Sequence, residues 1–175
     1  MGLDFFAPFY RFTARMFFGS IQEYGYLKSA EFAKKGNALF VGAGDGYYLP
    51  HYIDHFEHID FVDISRGMLH QVSKSSHFAP DRMECIHVDF REFSSGKKYD
   101  TIYMLFYLDM LSYSETHKHV VKALSMLEAS GELVVLDFKP GALKQRVKLF
   151  LARGLFSMLT LSIVPRVSEV QRCLK

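Results

Sequence analysis

Tryptophan is absent from the 175 residues, and only two cysteines occur, Cys85 and Cys173. Two thiols cannot build a disulfide framework, and neither has partners at zinc-ligand spacing. The chain is therefore expected to fold by burial alone in a reducing compartment. Long hydrophobic runs are also missing. The longest uncharged apolar stretch, Gly154 to Pro165, falls short of the roughly 20 residues a membrane-spanning helix needs. Asp4 and Arg11 interrupt the N-terminal apolar residues, and no small-residue cleavage site succeeds them, so no secretory leader is expected. The expected location is cytoplasmic. Internal repeats and low-complexity segments are absent as well.

The residues present fit a globular fold. The apolar fraction of 49% and charged fraction of 23% argue against disorder and coiled coil. The length suits one domain, large enough to bury about 70% of its unfolded surface. Seventeen Phe and ten Tyr point to large apolar surfaces. Charge is uneven. Residues 1–138 carry 13 basic and 18 acidic side chains, whereas from Lys139 onward eight Lys/Arg meet one acid, Glu169.

Residues 4–35 read as helix, because Phe5, Phe6, Phe9, Phe12, Met16 and Phe17 recur at spacings of three and four. Gly36-Asn37 stops that region. The run Ala38-Leu-Phe-Val41 suits a buried parallel strand. Helices are then expected near 46–56, 66–75 and 114–128, alternating with strands at 59–63, 84–88, 101–106 and 132–137. Gly131 is expected as a left-handed cap past the last of these helices. Such alternation predicts an α/β fold, a doubly wound parallel sheet with a ligand crevice at the carboxyl ends of its strands.

The most informative segment leads out of the first strand: Gly42-Ala43-Gly44-Asp45-Gly46-Tyr47. Glycine permits positive φ and close approach of a ligand to the backbone. A helix N-terminus beyond the loop would favour negative ligand groups. Asp63 ends the second strand, 21 residues after Gly42, where an acid can accept hydrogen bonds from ribose hydroxyls. Asp89 ends the third, near the same crevice, and could bond an adenine amine with Phe90 beside the ring. A dinucleotide fingerprint requires glycine at the sixth position of the loop, and here it is Tyr47. The P-loop lysine is missing too. A ligand without phosphate fits better.

The chain resembles the class I S-adenosylmethionine-dependent methyltransferases. The matching pieces are Val41-Gly-Ala-Gly-Asp-Gly46, Val62-Asp-Ile-Ser-Arg-Gly-Met-Leu69, Val88-Asp-Phe90, Tyr99-Asp100 and Leu127-Glu-Ala-Ser-Gly-Glu-Leu133. They span roughly residues 37–140. Ala7-Pro-Phe-Tyr10 and Leu49-Pro50 are similar to the branch holding quinone-biosynthesis C-methyltransferases and phospholipid N-methyltransferases. The resemblance implies a Rossmann-like sheet of order 3-2-1-4-5. It also implies one domain with a helical cap at 1–36, a cofactor-binding core at 37–140 and a basic apolar tail at 141–175. The implied cofactor is S-adenosyl-L-methionine, with S-adenosyl-L-homocysteine as product. By the family's pattern Gly42, Ala43 and Gly44 pass along the methionyl part and Asp63 holds the ribose. Ile64 and Met68 flank the adenine, with Asp89 and Phe90 at its edge. Residues 105–107, Phe106 among them, lie beside the sulfonium methyl, and Tyr10 folds over the site.

Two departures stand out. The family's acid two residues before the first glycine is Phe40 here. Asp45 is either its substitute or a helix N-cap. Only 38 residues lie beyond Asp137, and they read as one or two apolar helices where the family adds two more strands; an incomplete chain, a sheet shortened by those two strands, or an edge covered by a partner would each account for this.

Methyl transfer needs alignment and exclusion of water more than a catalytic side chain, and no catalytic residue is assigned. His87 reads as a packed mid-strand histidine, while Tyr107 and Asp109 sit near the strand end that matters. His51, His55 and His58 read as a solvated face, and no metal is expected. The end of the fourth strand lacks Asn/Asp-Pro-Pro-Tyr, which speaks against nucleic-acid bases as acceptors. The expected reaction is methyl transfer to a small, apolar or lipid-like acceptor; a degenerate scaffold for protein or membrane interaction is the alternative. Expected partners are that small molecule, a peripheral membrane contact through the basic tail, and a second copy of the chain, without nucleic acid.

Overall fold

Five parallel strands form one sheet in the order β3-β2-β1-β4-β5, as anticipated, in a computed structural model describing residues 20–137. The strands are β1 (Asn37–Val41), β2 (His58–Asp63), β3 (Met83–His87), β4 (Tyr99–Leu105) and β5 (Leu127–Leu136). Three helices accompany them: α1 (Ser20–Ala30), α2 (Arg66–Ser73) and α3 (Tyr113–Met126). The expected cap residues before Ser20, Tyr10 included, and the basic tail lie outside the described residues.

β1 sits at the centre, between β2 and β4. Strand side chains alternate between faces, and both faces are covered, so the central strands carry continuous apolar runs. Ala38, Phe40, Ile59, Phe61, Tyr103 and Leu105 join one core with Leu69 and Val72 of α2. Leu39, Val41, Val62, Ile102 and Met104 join the other with Ala123 and Met126 of α3. α1 is pinned to the first face by polar contacts: Tyr52 Oη donates to Tyr26 O at 2.7 Å and shares a 2.6 Å hydrogen bond with Ser29 Oγ. α3 begins at a capping box in which Ser112 and Glu115 bond each other's backbone amides.

Three expectations fail. No α-helix succeeds the glycine loop; residues 46–56 form two three-residue 3₁₀ turns, Leu49–His51 and Ile53–His55. Gly46 holds φ 69°, outside the right-handed helical region, so the loop does not run straight into an α-helix; Pro50, second in the first turn, is compatible with either helix type. Gly131 is not a left-handed cap. α3 passes directly into β5, which contains Gly131, and the register against β4 shifts from Tyr99↔Leu127 to Thr101↔Glu132. His87 is not packed inside the sheet. It ends β3, exposed, and its ring bonds Arg66 Nε and Ile64 O at 3.2 and 3.0 Å. Among the described residues no helix is long and apolar enough to cross a membrane.

Candidate active site

The carboxyl ends of β1, β2 and β4 and the segment after β3 converge on one side of the sheet. Gly42, Gly44 and Gly46 take φ values of 72°, 59° and 69°, a region that side-chain-bearing residues avoid. Their surroundings differ. A Cβ on Gly42 would lie 2.6 Å from Tyr107 Cδ2, and one on Gly46 would lie 3.0 Å from Val72 Cγ2. A Cβ on Gly44 would meet nothing within 4 Å. The first and third glycines thus permit close packing, while the second borders open space. Ala43 packs against the first core. The glycine loop leads into 3₁₀ turns rather than an α-helix, so it supplies no helix N-terminus of its own, contrary to the electrostatic expectation.

Asp45 bonds within its own turn, its Oδ1 accepting from Tyr47 N at 3.1 Å. Phe40 occupies the position of the family's acid and is committed to the core. It stacks on Tyr103 at 4.6 Å and meets Tyr52 edge-on at 5.2 Å.

The ends of β1 and β2 are stitched by Gly42 N donating to Val62 O at 2.9 Å, and those of β2 and β3 by Val88 N donating to Asp63 O at 3.2 Å. Asp63 is half-buried, and its Oδ1 accepts from Ser65 N at 2.8 Å. Ser65 caps α2 by accepting from Met68 N. This cap holds Asp63 and Ile64 outside the helix, at the crevice. Ile64 is 56% exposed, whereas Met68 is buried.

Asp89 lies just beyond β3. Arg91 donates to both its oxygens at 3.0 Å and reaches Glu115 Oε1 at 3.6 Å. The Arg91 hydrogen bonds hold the Asp89 carboxyl below its ordinary range. Phe90 is buried rather than open to the crevice, between Phe93 and the ring of His119.

At the end of β4, Phe106 takes φ 55°. It is the one non-glycine residue with positive φ among the described residues, and strain of this kind costs about 1–3 kcal/mol. Its N–H donates to Leu136 O at 2.7 Å. Tyr26 lies 5.5 Å from the Phe106 ring and stacks on Tyr48 at 4.2 Å; Tyr47 meets Tyr48 edge-on at 4.9 Å. α1, the glycine loop and β4 thus contribute one aromatic wall. Sequence reading missed Tyr26 and Tyr48, because nothing in their spacing links α1 to the loop. It also missed Arg91 and His119.

The structure therefore brings Gly42, Ala43, Gly44, Asp63, Ile64, Asp89 and Phe106 to the strand ends, and sets Met68 and Phe90 in the core behind them. The histidine trio does not converge: His51 and His55 are exposed, while His58 bonds Asp60 at 2.7 Å. His58, Asp60 and Glu84 place potential ligand atoms within 4.8 Å of one another. The cation at that spot is Lys97 Nζ, 2.8 Å from His58 Nε2 and 3.4 Å from Asp60.

Comparison with curated proteins gives no sequence match. Among solved structures, the DhpI–SAH complex superposes with TM-score 0.66 at 16% identity, covering 77% of this chain and 64% of that one. The S-adenosyl-L-homocysteine complex of N-methyltransferase NodS from Bradyrhizobium japonicum gives 0.59 at 16%, covering 68% and 61%. The plantazolicin methyltransferase BpumL, with a substrate analogue and SAH, gives 0.64 at 15%, covering 85% and 67%. The chain thus spans somewhat under two thirds of the first two structures, and these likenesses establish the fold. The family model described as a methyltransferase domain matches residues 39–133, more than half of the chain and the whole stretch from β1 into β5; the chain belongs to the methyltransferase-domain family.

Proposed function

We propose that these 175 residues form a single class I methyltransferase domain that binds S-adenosyl-L-methionine and methylates a small, apolar or lipid-like acceptor. The observation that carries the reading is the glycine loop. Three left-handed glycines succeed β1, and the middle one faces space that a single methyl group would begin to fill. Asp63 stands at the next strand end.

The residues fit the cofactor in all but one respect. Gly42, Ala43 and Gly44 let its methionyl part lie against backbone. Asp63 presents a carboxylate, an acceptor-only group, at the strand end and suits ribose hydroxyls. Ile64 offers exposed apolar surface to the adenine, with Asp89 at its edge. Phe40 supplies no charge for the methionyl ammonium, so that group must be satisfied by backbone carbonyls or Asp45.

When bound, the cofactor supplies a methyl group already activated by sulfonium. The protein's part is alignment and exclusion of water. Phe106 is held by its backbone bond to Leu136 O at the strand end next to the loop. The wall of Tyr26, Tyr48 and Phe106 presents apolar ring faces to an acceptor, which supports a planar or greasy molecule over a strongly charged one. A small-molecule acceptor is also in keeping with BpumL, whose structure holds a triazolic plantazolicin analogue.

Calorimetric titration of the full chain with S-adenosyl-L-homocysteine tests this, with NADH as control. Micromolar binding that Asp63→Ala weakens at least tenfold is expected. Absent binding would overturn the cofactor reading and favour a degenerate scaffold, to which the packed Phe40 would then point. Unchanged binding in Asp63→Ala would overturn the site.

A further inference from the structure

His119 projects from the sheet-facing side of α3 and is 3% exposed. Its Nδ1 lies 2.9 Å from Tyr107 Oη, and the two rings stack at 5.7 Å. Its Nε2 is buried without a hydrogen-bond partner among the described residues. If Tyr107 donates to Nδ1, an Nε2–H is stranded; if Nδ1–H donates, Nε2 is left as a stranded acceptor. In either tautomer the pair loses stability that an apolar pair of the same shape would keep. Two rings wanted only for packing need no polar atoms. What the hydrogen bond adds is direction: it fixes the tilt of the Tyr107 ring.

That tilt matters because of what the ring touches. Tyr107 Cδ2 lies 2.6 Å from where a Gly42 Cβ would stand, so the ring lies directly against the first turn of the glycine loop. Tyr107 also adjoins Phe106, whose backbone is held at φ 55° between β4 and the turn Leu108–Met110. A fixed ring at 107 braces the loop on one side and the strained strand end on the other.

We propose that His119 is a positioning residue for the methyl-transfer site: its hydrogen bond holds the Tyr107 ring against Gly42 and sets the loop geometry that the cofactor meets. The proposal rests on the cofactor reading above. The charged groups around the pair are Asp63 at the end of β2, Asp89 and Arg91 from the segment after β3, and Glu115 and Lys122 from α3 itself.

The test is S-adenosyl-L-homocysteine affinity, measured beside the thermal midpoint, in four full-length variants: Tyr107→Phe, His119→Leu, the double variant and His119→Asn. Asparagine keeps an acceptor near the Nδ1 position. Tyr107→Phe and His119→Leu should each weaken binding about five- to tenfold, the size of one directed hydrogen bond. The double variant should be no worse than either single one. His119→Asn should bind within about threefold of the parent; Tyr107→Phe strands His119 Nδ1, so its thermal midpoint should fall by several degrees while the double variant recovers part of that loss. Affinity within twofold of the parent in both single variants would overturn the proposal while leaving the cofactor reading intact. If the parent chain itself binds no S-adenosyl-L-homocysteine, the cofactor reading fails and the proposal with it. Should His119→Leu fail to fold, Tyr107→Phe and His119→Asn decide the matter alone.

Discussion

Replacing Gly44 by alanine separates a glycine that serves the turn from one that serves a ligand. The added methyl meets nothing within 4 Å, so the substitution carries no packing penalty. The backbone penalty remains. Gly44 sits at φ 59°, and a left-handed conformation costs an L-residue about 1–2 kcal/mol. For a protein of this size each kcal/mol lowers Tm by about 2–4 °C. Gly44→Ala should therefore melt cooperatively, about 2–8 °C below the parent in differential scanning calorimetry. S-adenosyl-L-homocysteine affinity should fall more than tenfold, a separate loss of more than about 1.4 kcal/mol, because the methyl occupies the ligand's side of the loop. Gly42→Ala is the control. It adds a 2.6 Å encounter with the Tyr107 ring to φ 72°, so its Tm should drop further than that of Gly44→Ala. Gly44→Ala protein that melts as expected and binds with parental affinity would refute the placement of the ligand against Gly44.

Particular residues support three more expected outcomes. Phe40→Ala removes a ring that stacks on Tyr103 and touches Tyr52 and Phe61, and urea denaturation should show a loss of about 3–5 kcal/mol; a loss under about 1 kcal/mol would mean that the aromatic cluster readily collapses around the gap. The Cys85 thiol is pushed up to about 11, first by burial and then by Glu84, so its alkylation at pH 8 should be far slower than that of a free thiol, and rapid labelling of the folded protein at that position would contradict the packing. Stability should fall on acidification. Burial lowers the His119 pKa from its usual 6.5 and Arg91 lowers that of Asp89 from 3.8. The unfolded chain then binds more protons than the native one, first below about pH 6.5 and again below about pH 3.8. Urea midpoints that stay flat from pH 7 to pH 5 in the parent, or that fall equally in His119→Leu, would dismiss the histidine contribution.

The sheet was legible because its residues obey two simple rules. Ala38-Leu-Phe-Val41 is apolar at every position, as a strand covered on both faces must be, and strand-length apolar runs alternate with helical stretches, as a parallel sheet requires. The segment after the glycine loop misleads because Leu49, Tyr52 and Phe56 recur at helical spacing and are all buried. Two 3₁₀ turns present the same side chains to the core, so periodicity alone cannot distinguish them from one helix. Gly131 misleads because a glycine after a helix reads as a cap, while here α3 meets β5 without a loop and the glycine lies in an irregular strand. The Tyr107–His119 pair left one usable trace. Thr116, His119, Ala123 and Met126 share a face by their spacing, and all four are buried, which marks His119 as an interior histidine. Its partner lies on another element, beyond the reach of periodicity.

Asp60, at the far end of the sheet from the crevice, acts on how the sheet assembles. It is 1% exposed, in a strand otherwise apolar at its buried positions. Tyr99 at the start of β4 donates to it at 2.7 Å across β1, His58 bonds it from its own strand at 2.7 Å, and Lys97 stands 3.4 Å away. A slip by one residue turns every side chain of a strand to the opposite face, and with both faces of β2 buried its apolar residues alone discriminate less between alignments than a buried charge does. Sliding β2 would carry the Asp60 carboxylate into the opposite core, among Phe40, Phe56 and Tyr103, away from its phenol and its ammonium. An ion buried without partners is among the costliest errors a fold can make. The carboxylate thus discriminates among alignments of β2 against β1 and β3, and only the alignment that joins Val41 to Val62 brings the Gly42 turn beside Asp63.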